Sequence, residues 1–168
     1  VSEREVVDAV SVAASGLGIE EHGTGTWEGW LQGRRVRWSL REVEHDGRTR
    51  LQLAIGTPVQ TGLLALTHRT LVYGAELPEF ELQECKIGDA EFDVRFFVHA
   101  DLEHLSMLTP SVRRALLDAA TDAELRIRDG WLWVDQVATP GVALRAPLRL
   151  EAVFAAAAAI DAVPVEVE

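Results

Sequence analysis

The sequence predicts an α+β fold: antiparallel sheet built from a three-stranded meander and a C-terminal hairpin, with three main helices packed on one face. Three observations carry that expectation. The dipeptides Gln32-Gly33 and Asp46-Gly47 each fold their flanks into a hairpin, and the two registers agree on which side chains share a face. A third turn dipeptide, Asp129-Gly130, interrupts the alternating pattern of "ELRIRDGWLWVDQ". Helix-start signatures stand at Ser2 with Glu5 and at Thr109-Pro110.

The first helix is expected over Glu3 to Ser15. Ser2 and Glu5 form a capping box, Val6, Val10, Ala13 and Leu17 recur at helical spacing, and Gly16 and Gly18 end the run. A turn at Gln32-Gly33 places Trp30 opposite Arg35, Glu28 opposite Arg37 and Trp27 opposite Trp38. A turn at Asp46-Gly47 places Leu40 opposite Leu53 and Trp38 opposite Ile55. Side chains alternate along a strand, so Trp27, Val36, Trp38, Leu40, Leu53 and Ile55 share one face. Glu28, Trp30, Arg35, Arg37, Arg41 and Gln52 share the other. From Thr57 to Glu84 the pattern is irregular: "GLLALTHRTLVYG" reads as a strand with an extension, and "ELPEFELQEC" as a loop or edge strand broken at Pro78.

Val94 to His99 is expected to be a buried strand, with Asp101 opening a helical turn. The next helix starts at Thr109-Pro110 and turns Val112, Leu116, Leu117 and Ala120 inward. In the final hairpin Leu125 faces Val134 and Ile127 faces Leu132 on the core side, while Arg128 faces Trp131 and Arg126 faces Trp133 on the other. An Ala-rich helix is expected from about Pro147 to Ala162, followed by a mobile acidic tail. A chain of 168 residues fits one domain, with an N-terminal half 1–84, a C-terminal half 85–163 and a tail 164–168.

The formal net charge of −11 would repel a phosphate backbone, so nucleic acid is not an expected partner. Cys85 is the only cysteine, which rules out an internal disulfide. No apolar run reaches the roughly 18–20 residues that span a bilayer, so direct membrane insertion is not expected. The acidic N-terminus lacks the basic region of a signal peptide, and a cytoplasmic location is expected. Lys86 is the only lysine, a bias typical of GC-rich bacterial coding.

Two resemblances follow from these residues. "GDAEFD" (Gly88 to Asp93), a following strand, a helix with "ALL" (Ala115 to Leu117) and "LRIRDGWLWV" (Leu125 to Val134) resemble a pattern in uncharacterised bacterial domains. In those domains Gly-Asp-x-x-Phe-Asp precedes a strand, a helix and a hairpin. The resemblance covers the second half of the chain, implies a setting in membrane-associated proteins, and carries no activity. The order of elements also resembles class I type III secretion chaperones, which are small, acidic and dimeric. The segment from Thr57 to Ala100 is extra to that plan.

Two sets of residues compete as a site. Asp89, Glu91 and Asp93, if extended, project from one side of the chain and offer oxygen ligands to Mg²⁺ or Ca²⁺, or acid–base groups, with His99 as helper. The structural alternative makes Gly88-Asp89 a turn, Phe92 a core plug and Asp93 a bonding partner of backbone amides. His99, Asp101 and His104 match no zinc spacing, and Cys85 has no local partner to lower its pKa. No nucleophile elbow, dinucleotide fingerprint or phosphate loop occurs, so no metal and no cofactor is assigned.

The second set is the non-core face: Trp30, Arg35, Arg126, Arg128, Trp131 and Trp133. Arg–Trp pairs stabilise an exposed sheet or lie beneath a helix. The same residue types also concentrate at binding hot spots. The expected function is therefore a non-enzymatic protein-binding, adaptor or chaperone-like domain that engages a protein partner or forms a homodimer. The alternatives are a metal-dependent enzyme or metal-binding domain using Asp89, Glu91 and Asp93, and a soluble sensory domain of a larger membrane-associated protein.

Overall fold

A computed structural model describes residues 2–45, 47–60, 65–68, 86–100 and 105–164, and among these the chain forms eight strands and four helices. Cys85, Asp101, His104, the segment 69–84 and the tail 165–168, all given roles above, lie outside the described residues. In chain order the elements are α1 (Glu3–Gly16), β1 (Glu20–Glu21), β2 (Thr26–Leu31), β3 (Arg34–His45), β4 (Arg48–Pro58), β5 (Ala65–His68), α2 (Ala90–Arg95), β6 (Phe96–His99), α3 (Pro110–Ala119), β7 (Glu124–Arg128), β8 (Trp131–Val137) and α4 (Pro140–Asp161).

The α+β expectation holds. The described strands all join one antiparallel sheet in the order β1-β2-β3-β4-β8-β7-β5-β6. The three hairpin registers derived from the sequence are those observed: Trp27 opposite Trp38, Leu40 opposite Leu53, and Leu125 opposite Val134. Two of the turns have the backbone that their dipeptides favour, while Asp46 of the third lies outside the described residues. Gln32 and Gly33, like Asp129 and Gly130, all have positive φ, as a type I′ turn requires. Pairing of β4 with β8 then fuses the meander to the C-terminal hairpin, with Ile55 opposite Val134 and Gly56 opposite Trp133.

One face of this sheet carries the core. Trp27, Val36, Trp38, Leu53, Ile55, Leu125, Ile127, Leu132 and Val134 are buried beneath α1, α3 and α4, which contribute Val6, Val10, Leu116, Leu150, Val153 and Ile160. Burying each large apolar side chain stabilises the fold by about 1.5–3 kcal/mol. The helices start where their caps dictate. The hydroxyls of Ser2, Thr109 and Thr139 accept from the backbone N–H groups of Glu5, Val112 and Val142.

Two expectations are corrected. The last helix begins at Pro140, seven residues before the expected start, and Pro147 lies inside it. Thr139-Pro140 repeats the cap-then-proline signature of Thr109-Pro110, and this pair, not Pro147, opens the helix. Packing of the apolar face against the sheet and α3 carries the helix through the proline. The segment after Gly88 is also not extended. Asp89 caps a short helix, α2, so the strand begins at Phe96 and Val94 stands 76% exposed on the helix. Phe92 does plug the core: it is fully buried, with its ring 4.9 Å from that of Phe96.

Candidate functional site

The helical turn at α2 separates the three carboxylates that extended geometry would have aligned. Asp89 accepts from the Phe92 N–H at 3.3 Å and from Arg113 of α3 at 3.0 Å. The Phe92 amide, and then Arg113, hold its carboxyl below the usual aspartate range. Glu91 reaches Arg114 at 3.5 Å. Asp93 turns back and accepts from the Ile87 and Gly88 N–H groups at 2.9 and 3.0 Å. His99, the proposed helper, is buried on β6. Each carboxylate thus serves a different structural partner, as the turn-and-plug alternative expects. Among the described residues no group of three His, Cys, Asp or Glu side chains is placed to hold a metal ion.

The other candidate set is brought together on the face of the sheet opposite the described helices. Its organising event is the β4–β8 pairing. Gly56 lies between Arg37 of β3 and Trp133 of β8, and a β-carbon there would stand 2.6 Å from Cδ2 of Trp133. The missing side chain lets the indole extend over β4. Trp131 and Trp133 stack with centroids 5.3 Å apart and an interplanar angle of 18°. Arg35 and Arg37 reach across β4 to stand 5.5 and 5.1 Å from the Trp131 ring centroid. Arg126 stands 5.3 Å from that of Trp133. Such contacts are each worth about 0.5–1 kcal/mol at exposed positions.

Acidic groups hold the guanidiniums from outside. Arg37 Nε donates to Glu28 at 2.5 Å, and Arg35 lies 4.0 Å from the same carboxylate. The Arg37 hydrogen bond dominates in keeping the Glu28 carboxyl below the usual glutamate range. Arg126 Nε donates to Asp135 Oδ2 at 3.0 Å. The Asp135 side chain is 1% exposed, and its Oδ1 has no hydrogen-bond partner among the described residues. A continuous row, Glu28–Arg37–Trp131–Trp133–Arg126–Asp135, therefore crosses the sheet from β2 to β7. Beside it opens a shallow concavity of about 350 Å³ lined by residues that include Glu28, Arg37, Arg41, Arg126 and Trp133.

The sequence pairing of Trp30 with Arg35 and of Trp131 with Arg128 is correct in register. The tertiary contacts differ. Arg35 serves Trp131 across β4, Arg128 lies 3.7 Å from Asp129, and Trp30 is 72% exposed at the meander end of the face. Arg37, Arg41, Asp135 and Gly56 are neighbours in the site that the tryptophan–arginine pairs within isolated hairpins do not include. Arg37 and Arg41 are visible in the sequence as members of the polar face. Gly56 and Asp135 have no signal short of the β4–β8 register.

Charge is distributed unevenly. Arg35, Arg37 and Arg41 of β3, Arg48 and Arg50 of β4, and Arg126 and Arg128 of β7 share the open face by strand alternation. Against these seven stand four carboxylates, Glu20, Glu28, Glu124 and Asp135. Among the described strand residues this face thus sums to +3, in a chain whose net charge is −11.

No protein-family model matches the chain. No curated protein matches it in sequence. Among the described residues no helix is long and apolar enough to cross a membrane. Among solved structures, the chain is similar to the crystal structure of the mycobacterial trehalose monomycolate transport factor A, TtfA, at 12% identity and a TM-score of 0.63. The match covers 99% of this chain and 100% of that one, and at such low identity it is a likeness of fold: this α+β chain is similar in fold to TtfA along nearly its whole length.

Proposed function

We propose that the protein is a non-enzymatic binding domain, an adaptor that captures another protein on the open tryptophan–arginine face of its sheet. The observation that carries this reading is the stacked Trp131–Trp133 pair, half-buried and ringed by Arg35, Arg37 and Arg126 on a face that the described helices leave open. Tryptophan and arginine are enriched among the few residues that dominate binding energy at protein interfaces, because each combines large apolar contact with a polar handle. The separate structural duties of Asp89, Glu91 and Asp93 remove the geometric support for the metal-dependent alternative. The structural neighbour TtfA is a transport factor, a kind of role that a binding domain fills.

The test replaces Trp131 and Trp133 together by alanine. Circular dichroism is expected to retain the wild-type helix and strand content. Capture of binding proteins from extracts of the source cells, quantified by mass spectrometry against the wild-type bait, is expected to fall at least tenfold, which corresponds to loss of one hot-spot contact or more. Equal capture by a folded double variant would sink the reading.

A further inference from the structure

We propose that the occupant of the open face is an acidic peptide segment in extended conformation, with its carboxylates received by Arg37, Arg41 and Arg126 and an apolar side chain resting against Trp133. This deepens the protein-binding reading of the same face and depends on it.

Charge complementarity selects the occupant. The whole chain is strongly acidic, which by itself points to basic or neutral partners, but the surface that would touch a partner is the arginine-rich one. Arg37 and Arg126 each use Nε for an internal carboxylate. Their terminal nitrogens make no hydrogen bond among the described residues and remain as paired donors, the geometry that receives a carboxylate bidentately. Arg41 is exposed, lines the same concavity and has no ion pair among the described residues. Asp135, buried beneath Arg126, holds that guanidinium in place and acts as a positioning residue.

Spacing agrees with an extended chain. Arg37 and Arg41 are four residues apart on one strand, about 13 Å at the usual rise. Carboxylates four residues apart on an extended peptide have the same separation. The concavity is open and shallow, a shape that suits a chain laid across it better than an enclosed small molecule. A second copy of the protein would oppose two arginine-rich faces. A nucleic acid would extend past the face into the field of a chain whose net charge is −11.

The experiment uses the full chain and a fluorescein-labelled decapeptide with Glu at positions 3 and 7, Leu at position 5 and a Gly/Ser background. A second peptide replaces both Glu by Gln. Fluorescence anisotropy is expected to show the acidic peptide binding at least about tenfold more tightly than the Gln peptide, since two charge-assisted contacts are lost. The preference is expected to shrink as salt rises, to vanish in the Arg37→Gln/Arg41→Gln variant, and to persist in Arg114→Gln on the far side of the molecule. Equal affinity for both peptides, or binding of neither, overturns the proposal. So does a dimer in sedimentation that Trp131→Ala/Trp133→Ala abolishes, because the occupant is then a second copy.

The two levels fail separately. Cellular capture lost in the tryptophan variant but kept in the arginine variant overturns only the acidic occupant. Capture kept in both overturns the binding reading as well.

Discussion

The indole of Trp133 occupies the space that a side chain at Gly56 would fill, across the strand pair that joins the meander to the C-terminal hairpin. The backbone at this glycine is not in the left-handed region, so its role here is absence of bulk. Gly56→Ala is therefore expected to displace the Trp133 ring and unstack it from Trp131. Overpacking of this kind costs about 1–3 kcal/mol. Urea denaturation would show the loss in midpoint, and near-ultraviolet circular dichroism would show the altered tryptophan environment. An unchanged near-ultraviolet spectrum would contradict this seating of the indole.

The last helix tests two opposing local effects. Thr139→Ala removes the hydroxyl that accepts from Val142 and is expected to lower stability by about 1 kcal/mol. Pro147→Ala restores a backbone donor in the helix interior and is expected to raise stability by up to about 3 kcal/mol. Thermal unfolding of the two variants should thus shift in opposite directions. A fall in Tm for Pro147→Ala would mean that the helix needs the bend a proline imposes.

Stability should fall in acid, and Asp89 supplies part of the fall. Its carboxyl titrates below the ordinary range in the folded state, chiefly through the Phe92 N–H and then Arg113. The unfolded chain consequently binds more protons near pH 4, and stability rises with pH through that window. The contribution is complete above the unfolded pKa and is lost as pH drops through the lower folded one. Glu28, held low by Arg37, acts with the same sign. Asp89→Asn keeps a capping side chain but not the charge. Denaturation at pH 7 is expected to show the variant less stable than wild type, with the two converging toward pH 2. A gap that persists at pH 2 would locate the effect in the cap and not in the charge.

Arg34 of β3 bonds Asp161 at the end of α4 at 2.7 Å, and also the Pro58 carbonyl. Both charged side chains are partly exposed, so the ion pair is worth little: Asp161→Asn is expected to lower stability by less than about 1 kcal/mol. A double-mutant cycle with Arg34→Gln measures the coupling. A value well above that range would show that the pair anchors the end of α4 to β3.

Much of the fold is legible in the chain because its determinants are local. Turn dipeptides set the hairpin registers, and period-2 alternation then places Trp27 and Trp38 inside and Arg35, Trp131 and Trp133 outside. The start of the final helix is harder to read, because Pro147 and Thr139-Pro140 both fit a first-turn position and only the second pair supplies a capping hydroxyl. The stretch from Gly88 to Asp93 misleads for a different reason. Alternating carboxylates suggest an extended chain, but Asp89 bonding the Phe92 amide nucleates a turn of helix, and local capping outweighs a pattern of three residues.

Most of the secondary structure, the strand registers within each hairpin and the two faces of each strand follow from residue order alone, since these depend on neighbours a few residues away. The pairing of β4 with β8 does not. An edge strand can accept any partner whose buried face matches, and the choice rests on the summed packing of both hairpins against α1, α3 and α4. That one long-range choice puts Gly56 beneath Trp133 and Arg37 over Trp131, and it turns two separate hairpin surfaces into one site.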